Sequence, residues 1–598
     1  MVRPSDSLIM KPCQLIGHDY RSIIQPAADS VENLRLARRW LSECQHNHKS
    51  CLNCLDIAPP TRLVDVGPAD GSQDPRLLLT AEYLNRDQAA QPGLLLPYLT
   101  LSHCWGQTPA DAPWKTTQAT LATFTTSIPI EALPKTLHDA IKITRSLGER
   151  YIWIDSLCIV QDSPDDWAKE SATMGRVYSN SLCTIISSSD GADGGCFSER
   201  NVLEITPAAL TLKTKDGTQT NKLVILPRPP TREVLVAASP TKSRAWCLQE
   251  AALSPRIIRF TKYQTLWQCF ESYASELAGD DFHDAPRERQ EAAIYAMVDA
   301  HHVQIGWTNK LTAYNYWYSL VEDYSSRKLT YEEDKLPALS GMAERMNLAL
   351  TEPGKVSDRY LAGLWEQDLL VGLMWQRAAK PWQKYKVREV NAGYVAPSWS
   401  WVSTTESVAF CVNKVRFNEY LKGISWRPST ITSSNTIHGN STPINAPGTK
   451  TIKAVTDHLK IDHVQIYPLT VDPFGQVHCG HLCAVGRLKQ IAPWMFHALL
   501  DEGSQSGNFK DSWSFPDHQG NVRFDFVFPV KDSAYPGIWC LLLQSWEPVT
   551  GGDVIGFGLA LVPAPIEHNT TTRYRRIGFV DVHLSWFEGI EETKLTIV

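Results

Sequence analysis

Short apolar runs alternate with stretches of helical spacing between residues 97 and 260. The runs at 97–103, 150–154, 182–186 and 256–260 read as buried strands. Between the first two, Leu137, Ala140, Ile141, Thr144 and Leu147 share one face of a predicted helix over 136–147. Thr136 and Asp139 resemble a capping box at its start, and Gly148 is placed to stop it. A second helix is predicted over 165–179, with Trp167, Met174 and Tyr178 on one side. A third, over 243–253, closes at Ser254-Pro255. Strand alternating with helix predicts an α/β fold: a mainly parallel sheet with helices on both faces.

Upstream, Val31, Leu34, Ala37, Trp40 and Leu41 define a helix over 31–44, and Thr61–Val66 a short strand that Gly67 ends. A Gly-rich turn and an insertion fill about 190–240. Residues 280–385 read as helical and are rich in Trp and Tyr. Beyond 394 the pattern turns to β, with runs at 463–469, 481–487, 522–529, 537–545 and 554–562 between turn residues. The stretch 427–450, rich in Ser, Thr, Asn and Pro, reads as a loop. The expected organisation is an N-terminal helical and Cys/His segment over 1–90, an α/β domain over 91–275, a helical region over 276–405 and a β-rich domain over 406–598.

The 598 residues exceed what one core holds, so several domains are expected. The composition, 43% hydrophobic and 20% charged, is that of a globular chain, and most of the 20 Trp are expected in cores. A net charge of −6 without a basic stripe argues against nucleic acid as a partner. The N-terminus leads into no apolar stretch, and nothing approaches the roughly 18 apolar residues of a membrane span. A cytoplasmic protein is expected, with its 14 cysteines mostly reduced.

Glu250 is the sharpest candidate for chemistry. On the predicted helix it shares a face with Trp246 and Leu253. A carboxylate on an apolar face is costly unless paired or working, and burial would tune it for acid/base or cation-stabilising chemistry. The competing reading pairs it with Arg244 or Arg256, or turns it to solvent. Asp155 closes the second strand, where open α/β sheets gather ligands, and equally suits a loop anchor. Ser102, His103, Cys104 and Trp105 close the first strand in the same way. Cys158 with His103 is a candidate nucleophile pair across neighbouring strands, against the commoner role of free cysteine as a buried hydrophobe. Cys44, His48, Cys51 and Cys54, with His46 nearby, hold four soft ligands within eleven residues and suit a structural zinc. Their compactness favours the rival reading, reduced cysteines in a helix–loop. The Walker loop, the dinucleotide glycine fingerprint and His-Glu-x-x-His are all absent.

Three blocks carry a family resemblance: Tyr98-Leu99-Thr100-Leu101-Ser102-His103-Cys104-Trp105-Gly106, Tyr151 through Asp162, and Ser243-Arg244-Ala245-Trp246-Cys247-Leu248-Gln249-Glu250. With Leu133-Pro134-Lys135-Thr136 and Asp165-Asp166-Trp167 they resemble the fungal heterokaryon-incompatibility (HET) domain over about 95–270. Segments at Tyr324–Thr330, Asp334–Gly341, Tyr360–Trp365 and Ala396–Trp401 resemble sequence common after that domain. HET domains are in turn distantly similar to Toll/interleukin-receptor (TIR) domains, which implies a TIR-like, flavodoxin-like sheet. The run Trp246-Cys247-Leu248-Gln249-Glu250 resembles the tryptophan-to-glutamate helix of NAD-cleaving TIR enzymes.

The resemblance implies a filamentous-fungal protein that promotes heterokaryon incompatibility or regulated cell death, with NAD hydrolysis as the mechanism. Glu250 would be the catalytic carboxylate, and Ser102, Trp105, Asp155 and Trp246 would line the pocket for NAD as substrate. Two other readings stand beside it. One is a non-enzymatic signalling module that works as a homo-oligomer or through a recognition partner. The other is an accessory protein of a secondary-metabolite cluster.

Overall fold

The computed structural model describes residues 8–12, 24–51, 59–87, 96–107, 112–205, 208–213, 220–227, 230–279, 282–284, 310–351, 357–378, 394–410, 452–491, 510–514, 520–528, 537–548, 553–564 and 572–598. Two units organise the chain. The first takes Met1–Thr308, Arg327–Thr330 and Pro337–Ala349; the second takes Asn309–Ser326, Tyr331–Leu336 and Leu350–Val598.

The first unit is built on a nine-stranded sheet. Its strands are β1 (Arg62–Asp65), β2 (Arg76–Leu79), β3 (Tyr98–Ser102), β4 (Tyr151–Trp153), β5 (Cys183–Ser187), β6 (Arg256–Phe260), β7 (Thr265–Cys269), β8 (Ser272–Ser275) and β9 (His283–Asp284). Their spatial order is β9-β8-β7-β6-β5-β3-β4-β1-β2. The four strands expected from the apolar runs, β4-β3-β5-β6, are mutually parallel and form its centre. Strands added on both edges are antiparallel. Every residue of β3, β5 and β6 is buried. That is why these strands read as continuous apolar runs rather than alternating ones: helices cover both faces.

Taken in chain order, the parallel strands run 2-1-3-4 across the sheet, as in flavodoxin-like doubly wound folds. The order reverses between β3 and β5. Helix α1 (Val31–Asn47) packs on α2 (Lys135–Leu147), and α4 (Met174–Ser179) packs on α5 (Trp246–Leu253). Right-handed crossovers in opposite directions set α2 and α5 on opposite faces. The Ser30 hydroxyl caps α1 by accepting from the Asn33 amide. The insertion supplies an antiparallel pair, Ala208–Lys213 and Thr220–Pro227, to which Leu8–Pro12 adds a third strand.

Two local expectations are corrected. No capping box opens α2: Pro134 occupies the N-cap, and Thr136 and Asp139 are buried. They serve a neighbouring loop instead, where Thr136 Oγ1 accepts from the Gly195 amide (3.0 Å) and Asp139 Oδ2 from the Cys196 amide (2.9 Å). Gly148 does stop α2, in the left-handed conformation (φ 88°). The single helix over 165–179 is two, α3 (Pro164–Ser171) and α4, separated by Ala172 and Thr173.

In the second unit, α6 (Lys310–Ser325) lies with two short ribbons, Tyr360–Leu361 with Leu364–Trp365 and Trp375–Arg377 with Val408–Phe410. The Gly363 carbonyl accepts from both Trp317 Nε1 (2.9 Å) and Trp401 Nε1 (3.0 Å). Many of the tryptophans are core, as expected; among the described residues eight, including Trp153, Trp267, Trp317 and Trp401, are fully buried. The C-terminal β region includes β10 (Val477–Gln490), β11 (Trp539–Pro548), β12 (Ile555–Pro563), β13 (Arg573–His583) and β14 (Glu592–Ile597). Pairing runs β10-β11-β12-β13-β14 and returns from β14 to β10, so these strands close into a barrel. Further strands pair onto the ring: Ile452–Asp457 with β11, Lys460–Pro468 with β10 and Gly520–Phe528 with β13. The stretch 427–450 lies outside the described residues.

Candidate functional site

The carboxyl ends of β3, β4 and β5 converge where the strand order reverses. Ser102 ends β3, and His103, Cys104, Trp105 and Gly106 follow. Asp155 lies two residues beyond β4 and opens a single helical turn, Asp155–Cys158. Its carboxylate is fully engaged: Oδ1 accepts from the Ser156 amide (2.8 Å) and Oδ2 from Trp105 Nε1 (2.8 Å). Asp155 thus holds the Trp105 ring in place. That ring also packs edge-on against Trp114 and carries the Lys115 ammonium 5.1 Å from its centroid.

The loops after β3 and β5 meet backbone to backbone. A Cβ on Gly106, itself at φ 68°, would lie 3.1 Å from Gly191 Cα, so glycine is required on both counts. Helix α5 brings Glu250 to the same region. The helix is buried almost all round, with Trp246 and Ala251 half-buried. The amphipathic stripe expected for Trp246, Glu250 and Leu253 is therefore not what singles out Glu250; its surroundings are.

Burial is the main force on the Glu250 carboxyl and lifts it from its ordinary 4.5 to about 7. The Arg244 guanidinium, the Ser102 hydroxyl and the Cys247 thiol oppose that rise, and Asp155 adds to it. Ser102 lies against both Glu250 and Cys247, although its buried Oγ makes no hydrogen bond of good geometry. His103 is buried, and desolvation lowers it to about 4, so its imidazole is neutral at physiological pH. Its Nε2 has no hydrogen-bond partner. Arg244 donates to the His103 carbonyl, which ties the start of α5 to the end of β3.

The structure therefore brings Ser102 and Asp155 each to Glu250, with Trp105 attached through Asp155. Trp246 stands one turn before Glu250 on the same helix. Arg244, His103 and Cys247 complete the cluster. Arg244 was visible in the third sequence block; the orphaned His103 nitrogen had no sequence signal. A cleft beside the cluster is lined by Ser102, Cys247, Lys242, Arg259, Gln268 and Arg327, among others. Glu250 is not among the lining residues, but it lies against Ser102 and Cys247, which are. Cys158 is buried in the turn after β4, where desolvation raises its thiol, surroundings that favour the buried-hydrophobe reading over a nucleophile paired with His103.

A second cluster lies at the antiparallel edge. Cys44 and His48 fall one turn apart at the end of α1, Cys51 ends the following 3-10 turn, and Cys269 ends β7. Their donor atoms all lie within 4.8 Å of one another, a set able to hold a metal ion. Cys54 lies outside the described residues. The fourth donor found here is Cys269, which sequence spacing could not indicate. His46 turns away, its Nδ1 against the Ser42 carbonyl at the surface.

These features define an α/β domain of doubly wound type with polar residues gathered at its strand-order reversal. Residues 98–250 match the family model described as Heterokaryon incompatibility protein (HET), from the first residue of β3 to Glu250. The chain therefore carries a HET domain over those residues. No curated protein and no solved structure matches it. Among the described residues, no helix is long and apolar enough to cross a membrane.

Proposed function

We propose that this HET-domain protein promotes incompatibility-type cell death by hydrolysing NAD in a TIR-like α/β domain, with Glu250 as the catalytic carboxylate. The observation that carries the proposal is Glu250 itself: a buried carboxyl at the strand-order reversal, titrating near 7 beside Arg244, Ser102 and Asp155. The flavodoxin-like strand order agrees with a TIR-like domain. The adjoining cleft is lined by the basic residues Lys242, Arg259 and Arg327, a chemistry that suits the diphosphate of a dinucleotide.

In the reaction, the bond from ribose C1′ to the nicotinamide nitrogen breaks and its electron pair leaves with nicotinamide. Water then bonds to C1′ and releases a proton. Ionised Glu250 would stabilise the oxocarbenium-like charge and take that proton. Ser102 and Cys247, which line the cleft and also lie against Glu250, link the carboxyl to the sugar's side of the site. Activity should then rise with pH through about 7 as Glu250 ionises.

The test is NAD consumption by the purified full-length chain at several concentrations, wild type against Glu250→Gln. Loss of NAD with wild type alone supports the mechanism. No loss from folded wild type, or equal loss from Glu250→Gln, overturns it and leaves Glu250 as part of a buried network that positions Arg244. Cell killing retained by folded Glu250→Gln would likewise separate toxicity from this carboxylate.

A further inference from the structure

We infer that Cys44, His48, Cys51 and Cys269 bind one structural zinc ion, which fastens the C-terminal end of α1 to strand β7. The donor chemistry is the first reason. Three thiols and one imidazole make the Cys3His set that zinc takes in closed, tetrahedral structural sites. With Zn–S near about 2.3 Å and Zn–N near about 2.0–2.1 Å, donor atoms of such a tetrahedron stand roughly 3.5–3.8 Å apart. All four donors here lie within 4.8 Å of one another, and His48 Nδ1 is 3.3 Å from Cys269 Sγ.

The local backbone builds the set. His48 caps α1, its amide bonded to the Cys44 carbonyl, and the Cys51 amide bonds to the His48 carbonyl. One turn of helix and one 3-10 turn thus aim three donors to one side. The fourth comes from 221 residues away in sequence from His48. A site assembled from two distant segments is the usual architecture for structural zinc, and its binding energy becomes folding energy.

The surroundings suit thiolates. Cys269 Sγ accepts from the Ser272 amide (3.3 Å) and lies 3.4 Å from the Ser272 hydroxyl. Buried Arg256 points Nε at Cys44 Sγ (3.2 Å) and donates from Nη2 to the Cys51 carbonyl (2.6 Å). Three thiolates, one neutral imidazole and Zn2+ sum to −1, and the Arg256 guanidinium offsets that charge. Outer partners of this kind orient ligands and tune the ion. With four protein ligands no position stays open for substrate, so the ion is structural.

The experiment measures zinc by mass spectrometry in full-length protein purified without added metal or chelator, and records the spectrum after replacement by Co2+. About one zinc per chain is expected, with cobalt bands and sulfur-to-cobalt charge transfer of a tetrahedral three-thiolate site. Cys269→Ser should lose the zinc, whereas Cys54→Ser should keep it. Protein that neither carries nor takes up zinc overturns the inference. So does a disulfide among Cys44, Cys51 and Cys269, or metal lost from Cys54→Ser but kept by Cys269→Ser. Should Cys269→Ser be insoluble, the cobalt spectrum of wild type decides alone, and fewer than three thiolates refutes the assignment.

Discussion

Replacing Glu250 by Gln should make the protein more stable at alkaline pH and leave it nearly unchanged in acid. The carboxyl titrates near 7 in the folded chain against 4.5 ordinarily, chiefly because it is buried. Below pH 4.5 it is protonated in both folded and unfolded states and exerts no differential effect. As pH rises, the unfolded chain ionises first, so folding is progressively disfavoured until the folded group also ionises near 7. At about 1.36 kcal/mol per pH unit, the interval amounts to roughly 3 kcal/mol lost by pH 8. Gln is nearly isosteric, retains an acceptor for Ser102 and Cys247, and cannot ionise, so the variant escapes that loss. Scanning calorimetry from pH 4.5 to 8 should show the two proteins diverging by several degrees, with most of the change between 4.5 and 7. Any constant offset reports altered hydrogen bonding and does not bear on the argument; the slope does. Parallel curves over the whole range would refute a carboxyl held near neutrality, and with it the acid/base rationale for Glu250.

Gly106→Ala should lower thermal stability by more than Gly279→Ala. Both glycines sit at positive φ, costing about 1–2 kcal/mol for an alanine, but a Cβ meets Gly191 only at position 106, while at 279 nothing lies within 4 Å. Equal losses would show that the two loops do not touch as described. Glu276→Ala should cost about 3–5 kcal/mol, because it strands buried Arg200, which it holds through two contacts of 2.7 Å. The paired replacement Arg200→Met with Glu276→Leu should recover much of that loss, and a single variant as stable as wild type in urea would contradict the pairing.

The parallel strands were legible because burial on both faces leaves an unbroken apolar run. The antiparallel edges were not: β2, β7, β8 and β9 are short and mix polar with apolar residues. Helix α2 was placed correctly, yet its opening was misread, since Pro134 already supplies the start and frees Thr136 and Asp139 for the loop at 191–197. Glu250 could be picked out because its helix was recognisable. Its pairing with Ser102 and Arg244 depends on how strands and helix are brought together, which no local pattern encodes. The cysteine cluster shows the same division. Cys44, His48 and Cys51 are neighbours on two successive turns of chain, whereas Cys269 joins them only through the tertiary fold.

The route of the chain also sets a timetable for folding during synthesis. Helix α4 meets the helix Pro337–Leu350 so closely that a Cβ on Gly175 would stand 2.6 Å from Gly341 Cα. Gln249 Oε1 accepts from the Gly341 amide (3.3 Å) in the same place. Yet the polypeptide reaches Gly341 only after passing into the second unit at 309, back at 327, out at 331 and back at 337. At about 5–20 residues per second, the interval between making Gly175 and Gly341 is roughly 8–33 s. Until then the nascent α4–α5 face has no cover, and it is a natural place for a chaperone to hold the chain. A fragment that stops at residue 308 would keep that face bare permanently.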